Sequence, residues 1–284
     1  MTLRWLVTGA GGMVGRDVCA ALESRGETVL PLTKSDLDIT DAAAVREAVR
    51  GAKPDVIVNC AAYTRVDDAE ANEQLATAIN GSAVEFLADA ANNVDALLVQ
   101  ISTDFVFDGS KRTPYEVNDV PAPLSAYGRS KLAGEQAASS ARKHIILRTA
   151  WLFGAHGPNF VEAIRSQVRK GTNPLRVVND QRGRPTYTPH LAEAIVRLAQ
   201  RAHGDGNARG IVHYADGPEC TWFDFARAFV GDEAMVTPVS SDAFPRPAKR
   251  PAYSVLSTER YELITGVKPE SWEEGLREYL RLRP

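Results

Sequence analysis

Short apolar runs alternate along the chain with stretches whose apolar residues recur at helical spacing, which predicts an α/β fold with a parallel sheet. Leu3 to Val7 is an apolar run of strand type, followed at helical spacing by Val18 and Leu22 with the small Cys19 and Ala21. Thr28 to Leu32 is a second apolar run, and Thr40 or Asp41 then caps a helix carrying Val45, Ala48 and Val49 on one face. Asp55 to Ala62 is almost continuously apolar, the pattern of a central strand buried on both sides. A helix from about Ala71 to Ala91 is expected next, burying Leu75, Ile79, Ser82, Val84, Phe86 and Leu87. Asn80 inside it is placed to reach toward a site. Ala96 to Ile101 and His144 to Arg148 are further strands, separated by a long loop from Phe105 to Ser125 and a helix opening at Ser125.

After Gly154 the alternation becomes irregular. Helices are expected near Phe160 to Arg169, Leu191 to Arg201, Trp222 to Val230 and Trp272 to Leu282, with strands at Leu175 to Val178 and Gly210 to Tyr214. Asn179 to Pro189 is too polar and too rich in Pro and Gly to form an element. The expected architecture is α/β, a doubly wound parallel sheet of Rossmann type with a smaller α/β substrate-binding lobe. Residues 1–150 mainly form the nucleotide-binding domain, and 151–284 mainly form the second lobe, interleaved with the first.

Between the first strand and helix, Gly9, Gly12 and Gly15 form G-x-x-G-x-x-G. In that context glycines permit a tight turn, close approach of backbone to a pyrophosphate, and close packing of helix on strand. The helix then points open N–H groups and its positive dipole end at phosphates. The second strand ends at Thr33-Lys34-Ser35, where an acid would bond the 2′-hydroxyl of NAD and repel a 2′-phosphate. With a lysine and two hydroxyls there, either NADPH or NADH is accommodated.

A net charge of −3 gives no basic field, which argues against nucleic acid as a partner. No apolar run approaches the ~20 residues of a membrane span, and the early first strand leaves no room for a signal peptide. Cys19, Cys60 and Cys220 are odd in number and far apart, which points to a reduced, cytoplasmic setting. The five histidines show no metal-ligand spacing.

The chemistry is carried by Tyr127 and Lys131, four apart and therefore on one face of a helix. A phenol with a reference pKa of ~10 trades protons poorly at neutral pH. A neighbouring ammonium favours the phenolate, so Lys131 is expected to lower that value and make Tyr127 a general acid or base for a carbonyl/alcohol pair. Lys131 also suits a bond to the nicotinamide ribose. Thr103, at the end of a neighbouring strand, can bond the same substrate oxygen.

These features resemble an extended short-chain dehydrogenase/reductase, and more closely the dTDP-4-dehydrorhamnose reductase family. The similarity runs through Gly9 to Gly15, Val58 to Asp67, Ser102 to Gly109, Tyr127 to Glu135, Arg148 to Trp151, Asn179 to Thr186 and Arg250-Pro251. It implies a catalytic set of Thr103, Tyr127 and Lys131. It implies that Gly12, Met13 and Val14 touch the pyrophosphate, Asp38 and Ile39 the adenine end, and Ala62, Tyr63 and Thr64 the ribose side. Thr103, Asp104 and Trp151 would contact the nucleotide-sugar, and Arg250 its diphosphate through a guanidinium fork. The reaction implied is reduction of the 4-keto group of dTDP-4-dehydrorhamnose to dTDP-L-rhamnose, with hydride from the nicotinamide and the proton from Tyr127.

Related readings are a 4-ketoreductase for another nucleotide-deoxysugar, or a non-catalytic NADP-binding subunit resembling the methionine adenosyltransferase beta subunit. A nucleotide-sugar 4,6-dehydratase typically follows the strand-end threonine with Asp-Glu, and here Phe105 takes the glutamate position. Some family members are thought to dimerise through a metal held by glutamates. Asp17 falls at one such place, but Thr188-Pro189-His190 offers no glutamate at another, so no metal is expected. The chain is expected as a monomer or homodimer.

Overall fold

The computed structural model describes residues 2–232 and 234–282. Six parallel strands form the central sheet, in the order Gly210–His213, His144–Thr149, Leu97–Thr103, Val56–Asn59, Arg4–Thr8, Thr28–Leu32. Because strand side chains alternate, each inner strand feeds two cores. Trp5, Val7, Val58, Val99 and Leu147 face the helices Met13–Glu23 and Thr188–Gly204, whose Val18, Leu22, Leu191 and Ile195 close that side. Leu6, Ile57, Leu98 and Ile146 face Ala42–Ala52, Ala83–Val94 and Ala126–Ala138.

Asp41 caps the helix Ala42–Ala52 by accepting from the amides of Ala43 and Ala44. Ser125 caps Ala126–Ala138 by accepting from Gly128 N. The helix expected from Ala71 to Ala91 is instead three pieces. Glu73–Thr77 leads into a π-helical turn, Ala78–Ser82, and then Ala83–Val94. Leu75 is 49% exposed and Ser82 is also at the surface, so neither belongs to the core. Leu75 lines a ligand-sized cavity instead.

A separate hydrophobic core gathers Phe153, Tyr187, Phe225, Trp272 and Tyr279. The polar stretch 179–189, expected to form no element, contributes two short strands and the start of a helix. Arg182–Gly183 pairs with Cys220–Thr221, and Thr186–Tyr187 pairs with Leu152–Phe153. The helix Thr188–Gly204 begins directly afterwards. That helix and the strand Gly210–His213 carry the chain back to the central sheet. Among the described residues no helix is long and apolar enough to cross a membrane.

Candidate active site

The glycine turn brings helix and strand together as closely as backbone allows. Gly9 has φ of +63°, and a Cβ there would lie 2.5 Å from Ala61 N. A Cβ on Gly15 would lie 2.3 Å from the Gly9 carbonyl oxygen. Gly15 therefore serves packing, while Gly9, Gly11 and Gly12 line a cavity of about 1010 Å³. No side chain caps the helix Met13–Glu23, so its first N–H groups remain for a ligand. Met13 turns its thioether toward Gly154 and Gly157, and Val14 packs on the core, which leaves their backbone amides as what they offer a phosphate.

Thr33, Lys34, Asp38 and Ile39 line the far end of this cavity. The acid in this lining is Asp38, and a second acid, Asp36, follows the strand end without lining the cavity. Asp36 folds back so that one carboxylate oxygen accepts from Thr33 N at 2.9 Å and Thr33 Oγ1 at 2.6 Å. Those bonds hold its carboxyl below the usual range. Asp38 is likewise turned inward on its own loop, accepting from Thr40 N and Oγ1. Lys34 stands beside them. Ala62, Tyr63 and Thr64 form the other wall. Its position is set by Asn80, whose amide accepts from Tyr63 N at 2.8 Å and donates to Tyr63 O at 3.0 Å and to Ser130 Oγ at 2.9 Å. The Asn80 backbone approaches the helix Ala126–Ala138 at Gly134, where a Cβ would sit 2.0 Å from the Asn80 carbonyl oxygen. These cradles and the uncapped helix fit a dinucleotide.

Tyr127 lies between two cavities. It packs on the cluster of Tyr63, Ala69, Ala76 and Ala126, of which Tyr63 lines the first, and meets Phe105, which lines the second, edge-on at 5.6 Å. Thr103 is within hydrogen-bonding reach of the phenol and donates to Asp104 Oδ1 at 3.1 Å. Burial pushes the Tyr127 phenol up to about 12, against the Thr103 hydrogen bond and helped by the Asp104 charge. The expectation that Lys131 lowers this value is corrected. Lys131 lies one turn along and donates Nζ to the Ile101 carbonyl at 2.6 Å. Burial brings its own value down to about 8, with the charge of Glu135 opposing. Asp104 is 2% exposed, and burial raises its carboxyl to about 6 despite the hydrogen bond from Thr103 and the nearby Ser254 hydroxyl.

The second cavity, of about 340 Å³, holds Trp151, Arg250 and Ser254. Trp151 has φ of +48° and stacks on Trp222 with ring centroids 3.5 Å apart and planes 6° from parallel. Gly183 makes room for it, since a Cβ there would lie 2.5 Å from the indole. Phe160 tilts against Trp222, and Val177, Gln181 and Phe244 also line the cavity. None of these five is marked as a site residue by the sequence. Trp222 and Phe160 each begin an amphipathic helix, where an aromatic signals core. A further cleft of about 570 Å³ lies between Thr188–Gly204 and the last helix. Its lining balances Glu193 and Glu278 against Arg197 and Arg277, and it holds none of the expected site residues. Among the described residues no group of three or more His, Cys, Asp or Glu can hold a metal.

Comparison with known proteins finds matches along nearly the whole chain. A family model described as the RmlD substrate binding domain matches residues 3–283. The dTDP-4-dehydrorhamnose reductase of Streptomyces griseus is 44% identical over 283 residues, covering 97% of this chain and 92% of the relative. A dTDP-4-keto-6-deoxy-D-glucose reductase of Streptomyces niveus is 44% identical over 268 residues, covering 92% and 91%. The crystal structure of dTDP-4-dehydrorhamnose reductase from Bacillus anthracis in complex with NADP superposes with a TM-score of 0.93 at 36% identity, covering 99% of this chain and 100% of that one. The chain belongs to the RmlD substrate-binding family, that of the dTDP-4-dehydrorhamnose reductases.

Proposed function

We propose that the protein is an NADPH- or NADH-dependent reductase of the 4-keto group of a dTDP-4-keto-6-deoxy sugar, converting dTDP-4-dehydrorhamnose to dTDP-L-rhamnose. The observation that carries this reading is the place of Tyr127, between a dinucleotide-sized cavity and an aromatic-lined one, with Thr103 and Lys131 beside it. The nicotinamide cofactor, when bound, supplies the hydride. Tyr127 donates its proton to the sugar O4 as charge develops there, and its high pKa keeps that proton in place until it is needed. The Thr103 hydroxyl orients the same oxygen. Lys131, released from the Ile101 carbonyl, binds the ribose and stabilises the phenolate that the transfer leaves behind. Met13 and Val14 offer amides to the pyrophosphate, and Lys34 stands at the adenosine ribose.

On the substrate side, Trp151 and Asp104 hold the sugar and Arg250 the diphosphate. Phe105 is apolar and edge-on to Tyr127, so no acid stands there to eliminate water. The sheet-forming half carries the cofactor and the second lobe the nucleotide-sugar. The three free cysteines suit a reducing cytoplasm. A second reading, a dTDP-4-keto sugar of different configuration, is favoured by the Streptomyces niveus relative at the same 44% identity. Single-turnover loss of nicotinamide absorbance with dTDP-4-dehydrorhamnose tests the proposal. No loss with any dTDP-, GDP- or UDP-4-keto sugar would favour a cofactor-binding subunit without turnover.

A further inference from the structure

Arg250 does not enter its cavity as an unpartnered cation. Its Nη1 donates to Asp67 Oδ1 at 3.1 Å and to the Ala248 carbonyl at 3.0 Å, and its Nη2 donates to Asp67 Oδ2 at 2.9 Å. Asp67 also accepts from Ala248 N at 3.3 Å, and Arg246 Nη1 stands 3.9 Å from it. A guanidinium has five N–H groups in a fixed plane. These bonds use both on Nη1 and one on Nη2. What is left is the second Nη2 hydrogen and the adjacent Nε–H, a neighbouring pair of the kind a phosphate takes as a fork.

Asp67 itself does not line the cavity of Arg250. It lies in the short helix Val66–Ala69, which continues directly from the cofactor-cavity wall at Ala62, Tyr63, Thr64 and Arg65. Tyr63 is fixed through both backbone groups by Asn80, and the Arg65 guanidinium lies over the Tyr63 ring at 5.0 Å. One carboxylate thus joins the segment lining the first cavity to an arginine lining the second.

We propose that Asp67 is a positioning residue that couples the two cavities. It holds Arg250 with the Nε edge presented to the substrate diphosphate. A cofactor seated against the Ala62–Arg65 wall fixes Asp67, and through it Arg250. The inference rests on the reading of Arg250 as the diphosphate anchor. A carboxylate that only offset the charges of Arg246 and Arg250 would change diphosphate affinity equally with the cofactor present or absent. A positional link changes the ratio of the two affinities.

Calorimetric titration of dTDP, with and without saturating NADP⁺, reads that ratio. dTDP carries no sugar ring beyond its diphosphate, so the two ligands do not meet at the reacting carbon. In the wild-type protein NADP⁺ should tighten dTDP binding about fivefold or more, within the usual span of coupling between sites. Asp67→Asn and Asp67→Ala should bring the ratio near one while NADP⁺ affinity stays close to the wild-type value, which also reports that both variants are folded. A wild-type ratio of one, or an Asp67→Asn ratio equal to the wild-type ratio, overturns the coupling. Arg250→Ala separates the premise from the inference. If it leaves dTDP affinity unchanged, the anchor reading falls and the coupling with it; if it weakens dTDP while Asp67→Asn leaves the ratio untouched, only the coupling falls.

Discussion

Glu135 grips Arg148 through both carboxylate oxygens, at 2.8 and 2.6 Å, in a pair of which the side chains are 4% and 1% exposed. Ser102 Oγ donates to the same carboxylate at 2.6 Å, and the guanidinium lies over the Phe107 ring at 5.0 Å. Glu135 stands one helical turn after Lys131, so this pair joins the helix of Tyr127 to the strand beside the one that ends in Thr103. Glu135→Gln leaves a buried guanidinium without its counter-charge and should cost about 3 kcal/mol of stability, as when one partner of a buried pair is removed. Urea unfolding measures it; an unchanged midpoint would mean that water reaches Arg148.

Tyr127→Phe keeps the ring and its edge contact with Phe105 but deletes the acid. The loss in kcat should be about 10² to 10⁴, the usual worth of a positioned general acid, with cofactor affinity retained. Lys131→Ala should weaken cofactor binding and kcat together. Thr103→Val should cost less, because one neutral hydrogen bond goes while the proton donor stays. Steady-state rates and fluorescence titration of NADPH check the order, and a folded Tyr127→Phe variant with near wild-type kcat would sink the mechanism.

Asp104 predicts a pH dependence of stability. Its carboxyl titrates near 6 in the folded chain and near 3.8, the ordinary value for an aspartate, when unfolded. Between those values the folded state holds a proton that the unfolded state has released, so stability from this group is present at low pH and is lost as pH rises through 6. Asp104→Asn removes the titration. Its stability relative to wild type should climb between pH 4 and pH 6 and then level off. The rise should be roughly 3 kcal/mol, since a tenfold change in proton affinity is worth about 1.4 kcal/mol. Denaturation of both proteins across that range provides the test, and a pH-independent difference contradicts the assignment.

Cofactor choice follows from Lys34, at the cavity end, and from Asp36, whose charge is turned onto Thr33. NADPH should serve at least as well as NADH, and Lys34→Ala should weaken NADPH while leaving NADH alone. Parallel titrations decide. A preference for NADH above about a hundredfold, roughly 2.7 kcal/mol, would show that another group governs the ribose.

What the sequence disclosed of the site is what is local in the chain. The glycine turn, the Tyr127–Lys131 spacing and the start of a helix at Ser125 each depend on neighbours within a turn or two. The Trp222 face that stacks on Trp151 depends on a helix from a distant segment, and an aromatic at the start of an amphipathic helix gives no sign of it. Arg250 and Asp67 are each visible within a motif, but their bond joins positions 183 residues apart in the chain. The helix expected over 71–91 fails at Leu75 because periodicity alone does not tell a core from a cavity wall. Its π-helical turn surrounds Asn80, the residue bonded to Tyr63. The stretch 179–189 departs from expectation because its strands are two residues long, too short to show in a hydrophobic pattern. Their partners, Leu152–Phe153 and Cys220–Thr221, impose the extended backbone on polar residues.

The return of the chain to the sheet at Gly210–His213, beside His144–Thr149, limits how this protein can be divided. The segment between those two strands is an excursion whose exit and re-entry are neighbouring rungs of one ladder. A fragment ending at Thr149 would expose that strand as a bare edge and strip Leu191, Ile195 and Val212 from the core beneath it. The half that binds the cofactor is therefore not a free-standing module. The chain on either side of that excursion is tied into one ladder, so what lies between is anchored at both ends rather than hung from a single tether.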